Sequence, residues 1–563
     1  SCPEKIVSIM LTHISCIVSL RAIELLFSFT SNIIKSIAKV GKNSNKMEYF
    51  VENRRVRWYS VQRHVKGEKM TVDSGMELHQ AIYQFYRTQI QFGLYQYGEK
   101  LPSLEETCKR FHTSLDTVNP AYHRLRQEGY IAISKKSGAK VAIRYGPEQV
   151  RRHIQTFYAE RRESLTDLSR CIWPLLGQAQ CLALKTGPLK AADLEQFVDA
   201  GSHSAILAVW RVLDHKYNHL GNELLMRLIR YLYLYFYGSF WGVAKDERLH
   251  AITVRQLKAA ADLCREERWD ELPDVLRVIQ DEFYRSLCLF YRENIPPEPA
   301  CRQVVFSWDA YKKSSQLRYS LAMELLTEIG RGVYPVGSYL PSAERLSAEK
   351  GVSVSTVRRA VSLLNSVGAV KSSRPLGARV LPPSQSADHC DFTQPDLRRR
   401  LLDVAESLQI FALSGKDVSE LTLSSLDEAS LLSWKQYLMD LKRRGLSQRV
   451  IYASLFLISR DAPSQTLRTI YSELLQLLFW GNPIEALMGE LEHDPLFFVS
   501  SLERMTASLE RRETAVFSYT LEFLLIHELR RAVEVLLGLG IREAGNILIP
   551  DTNNEWKKMD TRR

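Results

Sequence analysis

The chain has no C-x-x-C pair, although it holds nine cysteines in 563 residues. Cysteines scattered in this way do not make a structural zinc site, and they suit buried free thiols in a reducing cytoplasm. The motifs of common enzymes are also missing: no G-x-G-x-x-G, G-x-x-x-x-G-K-[ST], H-E-x-x-H or G-x-S-x-G occurs in the strand and helix context that each requires. We therefore predict a cytoplasmic protein that is not an enzyme and has no cofactor.

No apolar run is long enough to cross a bilayer comfortably. The run at residues 6–20 is shorter than a membrane-spanning helix needs, and Arg21 and Glu24 interrupt its continuation. The chain starts with Ser, and three methionines stand between this run and the first well-patterned region. We predict that residues 1–72 are an extension outside the functional fold, and we expect no membrane partner.

Positive charge is in moderate excess and is unevenly spread. The formal net charge is +11, and residues 1–69 alone hold 12 Lys and Arg against 5 Asp and Glu. The remainder of the chain is therefore only slightly basic, and its overall charge points weakly to a nucleic-acid partner. Local patterns have to identify the function.

An internal repeat dominates the pattern. When the sequence is shifted by 239 positions, residues 93–141 align with residues 332–380 without a gap, and 17 of these 49 positions are identical. The shared residues include Leu-Pro-Ser at 101–103 and 340–342, together with several glycines and apolar positions. Because turn and core positions are those that a common fold constrains, the repeat predicts two copies of one domain.

Each copy has the pattern of three helices followed by a β-hairpin. Apolar residues at helical spacing precede Gly93 and Gly332, and Leu-Pro-Ser then opens a second helix with Ser103 or Ser342 as its cap. The motif Ser-x-x-Thr-Val begins a third helix, and two short alternating runs around a glycine-containing turn predict the hairpin. This order is that of a winged helix-turn-helix, whose third helix has the dimensions to enter a DNA major groove.

Three stretches of the second copy resemble the GntR family of bacterial transcription regulators: LPSAERL at 340–346, VSVSTVRRA at 352–360, and Leu364-x-x-x-Gly368. The resemblance covers about 70 residues in each copy. It implies a sequence-specific regulator that binds double-stranded DNA. It also implies DNA contacts from Arg345, Arg358 and Arg359, whereas Val354 stands where the family often has a further arginine.

We predict DNA contacts from both copies. Arginine can bond guanine O6 and N7 together or clamp a phosphate, so both roles are open to the arginines of the second copy. The first copy has Glu106 in place of Arg345, and a glutamate that faces phosphate would be repelled unless it accepts from a cytosine amino group or points elsewhere. The first copy therefore either reads DNA through a different surface or only positions the second copy. The predicted residues are Ser342, Arg345, Ser355, Thr356, Arg358, Arg359, Arg374 and Arg379 in the second copy, and Ser103, Ser114, Thr117, Asn119, His123, Lys135 and Lys136 in the first.

The segments that follow the two copies show no strand pattern. The residues that begin at Pro147 recur in looser form from Pro395, and LKAAADLCREERWDEL recurs as LERMTASLERRETAVF, which predicts two related helical bundles. Residues 220–225 and 269–272 of the first bundle resemble the ligand-sensing domain of the FadR branch of GntR regulators. That resemblance implies a small-molecule effector. The branch's metal-binding histidines are not kept. His215 and His219 have a spacing that would suit a metal, but no third or fourth ligand is identifiable, so we predict no metal.

The predicted fold is mainly α, with two winged helix-turn-helix domains that are each followed by an all-α bundle. The predicted divisions are 1–72 (extension), 73–146 and 312–385 (winged helices), 147–300 and 390–548 (bundles) and 549–563 (polar tail). We predict a transcription regulator in which two readers in one chain act as an intramolecular pseudo-dimer on an operator with unequal half-sites. The alternative is a scaffold protein in which one or both winged helices no longer bind DNA.

Overall fold

The structure is a computed structural model that describes most of the chain after residue 77. The described residues are 78–111, 113–134, 138–187, 216–243, 246–296, 302–308, 313–330, 333–373, 376–382, 390, 392–481 and 495–551. The predictions made for residues 1–72, for His215 and for most of the polar tail lie outside this part of the chain.

The first half consists of a small α/β unit and a set of longer helices. Its elements are α1 (Leu78–Gln91), α2 (Leu104–Phe111), α3 (Leu115–Gln127), β1 (Ile131–Ser134), β2 (Gly138–Val141), α4 (Pro147–Glu160), α5 (Arg162–Thr186), α6 (Glu223–Val243), α7 (Glu247–Arg265) and α8 (Leu272–Asn294). We call α1 to β2 the first head and α4 to α8 the first bundle.

The second half repeats this order. Its elements are α9 (Lys313–Gly330), α10 (Ala343–Lys350), α11 (Val354–Ser366), β3 (Val370–Ser373), β4 (Gly377–Val380), α12 (Pro395–Ser425), α13 (Glu428–Arg443), α14 (Val450–Asp461), α15 (Gln465–Leu478), α16 (Pro495–Arg511) and α17 (Thr514–Gly538). We call α9 to β4 the second head and α12 to α17 the second bundle. Within the described residues the sheets are the two hairpins, so the predicted mainly α fold with two winged helices is confirmed.

Equivalent residues form the cores of the two heads. Val118 and Leu125 on α3 are fully buried, and so are their counterparts Val357 and Leu364 on α11. Their spacing of seven residues places each pair on one helix face, where burial of each side chain stabilises the head by roughly 1.5–3 kcal/mol. The two hairpins also share their register, because Ile131 pairs with Val141 and Val370 with Val380.

One backbone detail supports the predicted repeat of the bundles. Glu267 and Arg512 are the non-glycine residues with positive φ in the described part of the chain, at 55° and 56°. They occupy the same place in the two loosely repeated sequences, each in the turn between the last two long helices of its bundle. Since a side chain makes this left-handed conformation uncommon, its recurrence indicates that the turn was inherited by both copies.

Helix α12 lies at the centre of the molecule. Every residue from 400 to 415 is buried, and α12 packs against α17 and α15 of its own bundle and against α5 and α6 of the first bundle. Because α12 is buried around its whole circumference, helices of both bundles are needed to shield it from water. Gly415 permits a close approach of α12 to α17, because a Cβ at this position would lie 2.6 Å from a side-chain carbon of Leu525.

A buried polar network joins the two bundles beside α12. The Asn222 amide donates to the Glu406 carbonyl at 2.8 Å and to Gln409 Oε1 at 2.7 Å. In turn, Gln409 Nε2 donates to the carbonyls of Leu220 at 3.0 Å and Leu548 at 2.6 Å. The run at 220–225 that resembles the FadR branch therefore lies at the contact between the bundles.

The first bundle differs from the second in having a helix break. Helix α4 ends at Glu160 and α5 begins at Arg162, whereas the corresponding stretch of α12 is continuous. Counted from Pro147 and Pro395, Arg161 at the break corresponds to Gln409. The same position of the repeat therefore holds a cation, Arg161, at a helix break in the first half. In the second half it holds a hydrogen-bonded amide, Gln409, within a continuous helix.

The structure bears on two further expectations. Among the described residues, no helix combines the length and apolar character needed to span a membrane. In the same residues, no group of three or more His, Cys, Asp and Glu side chains is placed to hold a metal ion.

Candidate DNA-binding surface

Serine caps hold the first turns of both helices of the second helix-turn-helix. Ser342 Oγ accepts from the backbone N–H of Arg345 at 3.2 Å, and Ser353 Oγ accepts from that of Thr356 at 3.1 Å. Each bond satisfies one of the N–H groups that a helix start leaves without a partner. The hydroxyls of Ser355 and Thr356 lie within 2.9 and 2.8 Å of Ser353 Oγ, so these predicted contact residues gather at the start of α11.

Three arginines point into solvent at the same end of the helix-turn-helix. The side chains of Arg345 and Arg358 are 72% and 69% exposed, and Arg359 is also exposed. Arg345 pairs with Glu349 at 2.8 Å, and Arg358 pairs with Glu344 at 3.2 Å. Exposed pairs of this kind contribute little stability, so both guanidinium groups are available to exchange a carboxylate for a phosphate or a base.

The wing adds a pair of cations. Arg379 on β4 pairs in register with Lys371 on β3, and both side chains are exposed. Cross-strand partners lie on one face of a hairpin, so the two charges point the same way. Sequence reasoning selected Arg379 and missed Lys371, which the hairpin register would have identified. Arg374, also predicted, lies outside the described residues.

Lys350 is a basic residue of the helix-turn-helix that has a structural role. Its Nζ donates to Glu324 at 2.9 Å and to Glu328 at 2.6 Å, which ties the end of α10 to α9. The side chain is only 15% exposed. Lys350 therefore fixes the angle between two helices of the second head and adds no charge to the exposed face.

The first head has a different charge at the matched positions. Shifting by 239 residues places Glu106 at Arg345, Asp116 at Ser355, Asn119 at Arg358, Pro120 at Arg359, Ala132 at Lys371 and Lys140 at Arg379. Over these six positions the second head carries five cations, whereas the first carries one cation and two carboxylates. Phosphate contacts supply most non-specific affinity for DNA, so the two heads present unequal surfaces to a duplex.

Glu106 is directed back to its own helix. Its Oε2 accepts from the Ser103 backbone N–H at 2.7 Å, while Ser103 Oγ accepts from the Glu106 N–H at 3.1 Å, which completes a capping box. The bond from the Ser103 backbone lowers the pKa of the Glu106 carboxyl, so it stays ionised. The sequence-based concern that Glu106 would face phosphate directly is answered by this local bond, although its negative charge remains on the surface.

The other predicted residues of the first head divide into exposed and buried ones. Asn119 and His123 are exposed on α3, and Ser114 is exposed at its cap. Thr117 is buried, with its hydroxyl 3.2 Å from Ser114 Oγ, so its position favours a part in helix geometry over contact with DNA. Lys135 and Lys136 lie outside the described residues.

Arg124 is engaged within the first head. Its guanidinium lies over the Tyr83 ring at 4.2 Å and pairs with Glu128 at 2.8 Å. Glu128 also accepts from the Tyr83 hydroxyl. This three-residue contact joins α3 to α1. Arg124 stays 48% exposed at its side chain, and Arg126 is the other exposed arginine of that helix.

Comparison with known proteins identifies both heads. The profile described as "Bacterial regulatory proteins, gntR family" matches residues 78–141 and, separately, residues 318–380. Both heads are GntR domains. Members of this family are regulatory proteins, so at the level of the family the chain is a DNA-binding regulator. The FadR branch stays a prediction.

Solved structures that resemble the chain include two described as GntR proteins and a third described as E. coli McbR/YncC. A GntR protein from Streptococcus agalactiae is 16% identical, covers 38% of this chain and 99% of that chain, and has a TM-score of 0.19. A regulator from Pseudomonas syringae pv. tomato str. DC3000 is 19% identical, covers 42% of this chain and 91% of that chain, and has a TM-score of 0.18. E. coli McbR/YncC is 15% identical, covers 40% of this chain and 98% of that chain, and has a TM-score of 0.22. At these TM-scores the likeness carries no argument about function or about how the halves are arranged. A search of curated proteins found no significant match.

Replacing Asn119 with arginine should strengthen DNA binding by the first GntR domain. The new guanidinium would stand where the second head has Arg358, and one added phosphate contact should steepen the salt dependence by about 0.9 in log–log slope. Fluorescence anisotropy across a salt series measures this slope. Gln127→Arg is the matched control, because it adds the same charge at the other end of α3. Equal slopes in the wild type and Asn119→Arg would contradict the prediction.

Proposed function

We propose that the chain is a sequence-specific transcription regulator that binds one operator through two unequal GntR heads. The observation that supports this most strongly is the charge difference at six matched positions, five cations in the second head against one cation and two carboxylates in the first. Arg358 and Arg359 on α11 are assigned to base edges or flanking phosphates. Arg345, Lys371 and Arg379 are assigned to the backbone.

The two halves act in this proposal as an intramolecular pseudo-dimer. Regulators with a helix-turn-helix commonly pair two identical heads on half-sites related by a dyad. Here α12 packs against helices of both bundles, and the network around Asn222 and Gln409 is buried between them. A covalent link between the halves allows the heads to differ, because each is encoded separately.

A scaffold role for the first head is the second candidate. Leu115, the first residue of α3, is 50% exposed, and Ile133 on β1 is 44% exposed. Exposed apolar groups on a head that also carries Asp116 and Glu106 suit contact with protein better than contact with phosphate. Under this reading the first head would bind a protein partner while the second alone binds DNA.

Selection from a random DNA pool tests the proposal. The intact protein should enrich a motif with two dissimilar halves, and footprinting should show stronger protection over one of them. A symmetric operator with equal protection would contradict the unequal heads. Enrichment of a single half-site would favour the scaffold role of the first head, and no enrichment would favour a scaffold for the whole chain.

A further inference from the structure

A small cavity lies where the first head meets the first bundle. Its volume is about 30 Å³, which is room for about two water molecules. Residues of helices α1, α4 and α6 line it, and it is partly open to solvent. The residues that line it are Ala81, Gln84, Phe85, Thr88, Phe157, Arg161, Tyr231, Leu234, Tyr235, Tyr237 and Gly238.

Arg161 brings a largely buried positive charge to this cavity. Its side chain is 16% exposed and its guanidinium lies over the Phe157 ring at 4.4 Å. Its hydrogen bonds within the described residues are long ones from Nη1, at 3.4 Å to the Phe157 carbonyl and 3.4 Å to Glu160. Since a guanidinium has five N–H donors, Nε and Nη2 are left to bond a further acceptor.

The surroundings of this charge suit an anion. Burial lowers the pKa of the Arg161 guanidinium, yet an arginine remains charged at neutral pH. Its nearest carboxylate, Glu160, is 38% exposed and 3.4 Å away, so it compensates the buried charge only in part. Gln84 and Thr88 on α1 place further polar groups in the lining. A buried charge is costly unless it is paired and bonded, so an anion in the cavity would stabilise it.

The linker to the second head is attached at the same place. The Val304 N–H donates to the Glu160 carbonyl at 2.7 Å, and Gln303 Nε2 donates to the Ala159 carbonyl at 2.9 Å. Phe306 packs edge-on against Tyr235, with ring centroids 5.2 Å apart. The cavity therefore touches the first head through α1, the first bundle through α4 and α6, and the linker through Tyr235.

The second half lacks an equivalent cation. Gln409 stands at the position of Arg161, and its amide is bonded to Asn222 and to the carbonyls of Leu220 and Leu548. Its donors and acceptor are thereby used in holding the bundles together. Any ligand that depends on the Arg161 charge would bind once per chain.

We propose that the cavity binds a small anion, either a carboxylate group or a free inorganic anion, with Arg161 as its counter-ion. The planar guanidinium presents Nε and Nη2 as a fork to two oxygen atoms. Bound there, the anion links α1, α4 and α6 and alters how firmly the first head is held on its bundle. This last step rests on the proposed function, since it makes DNA affinity depend on the anion.

Anion titration of the full-length protein tests the site without DNA. Acetate and nitrate are added in separate arms at constant ionic strength, and heat of binding and the thermal midpoint are recorded. We expect saturable binding of one anion per chain in at least one arm, and the arm that responds identifies a carboxylate or an inorganic source. Arg161→Gln should weaken the affinity for the anion by at least about tenfold. No saturable binding in either arm would overturn the proposal.

Two further variants keep the test decisive. Arg151→Gln removes an exposed arginine from α4, the helix that ends just before Arg161, and should leave anion binding unchanged. Ala81→Val narrows the cavity but keeps Arg161, so it should also weaken anion binding. If Arg161→Gln does not fold, Ala81→Val alone tests whether the anion binds in this cavity. Wild-type affinity for the anion in a folded Ala81→Val or Arg161→Gln protein would place the ligand elsewhere and overturn the assignment.

The link to DNA binding is measured separately. Operator affinity of the wild type at saturating anion should differ by at least about threefold from that without anion, and Arg161→Gln should show no difference. Equal affinities would overturn the coupling while leaving the site itself intact. Failure of the protein to bind any DNA would refute the proposed function, whereas the anion titration would still stand on its own result.

Discussion

Arg358→Ala should weaken binding to the selected operator by about 1–3 kcal/mol, roughly 5- to 150-fold. The side chain is 69% exposed at the start of α11, and its pairing with Glu344 is an exposed one that contributes little. Loss of a base contact should also relax the preference at one operator position. Fluorescence anisotropy at a fixed salt concentration, with the operator and single-base variants, measures both effects.

The matched changes distinguish the two heads. Asn119→Ala alters the corresponding position of the first head and should cost less than Arg358→Ala, because an amide adds no charge to the contact. Arg443→Ala removes an exposed arginine of α13, outside both heads, and should leave affinity nearly unchanged. Equal losses for Asn119→Ala and Arg358→Ala would show that the heads contribute equally and would refute the asymmetry.

Gln409→Ala should destabilise the folded protein by about 3 kcal/mol or more. The truncation leaves the partly buried Leu548 carbonyl without its Gln409 donor and removes a buried acceptor from the Asn222 amide. The Leu220 carbonyl loses one of two donors and keeps the Leu548 backbone N–H at 3.1 Å. Each buried polar group that loses its partner costs about 1–3 kcal/mol, and the missing side chain adds a cavity. Urea unfolding followed by circular dichroism measures the shift in midpoint.

The control for this change is Gln476→Ala on α15. Gln476 is exposed, so its truncation should alter the free energy of unfolding by no more than about 0.5 kcal/mol. Asn222→Ala removes the other side of the network, and its effect should not add fully to that of Gln409→Ala because the two amides share a bond. A Gln409→Ala protein as stable as the control would show that the network does not hold the bundles together.

The heads were predictable from sequence because their determinants are local. Turn glycines such as Gly98 and Gly337, both at φ +85°, and caps such as Ser342 act within a few residues of chain. Arg345, Arg358 and Arg359 could be selected for the same reason, since they lie on one short helix-turn-helix. Lys371 was missed because its place beside Arg379 depends on the pairing register of the two hairpin strands, which was not worked out from the sequence.

The role of Glu106 was harder to predict. Charge alone suggested repulsion from phosphate, whereas the structure shows a capping box with Ser103. The signal was present in the sequence, because Ser-x-x-Glu before an amphipathic helix is the pattern of such a box. Thr117 was selected as a contact residue, yet it is buried, because helix rotation decides which neighbours of Ser114 face solvent.

By itself, the sequence determined that two copies of one small domain are present, that each is a winged helix-turn-helix, and that only the second has an arginine-rich face. These properties follow from spacings of a few residues and from side-chain charge, which the chain carries whatever its long-range packing. The tertiary structure alone decided that α12 is shared by both bundles, that Asn222 bonds Gln409, and that Arg161 is buried beside the first head. Such contacts join residues that lie far apart in the sequence, as Asn222 and Gln409 do, and their energies depend on which surfaces meet and exclude water.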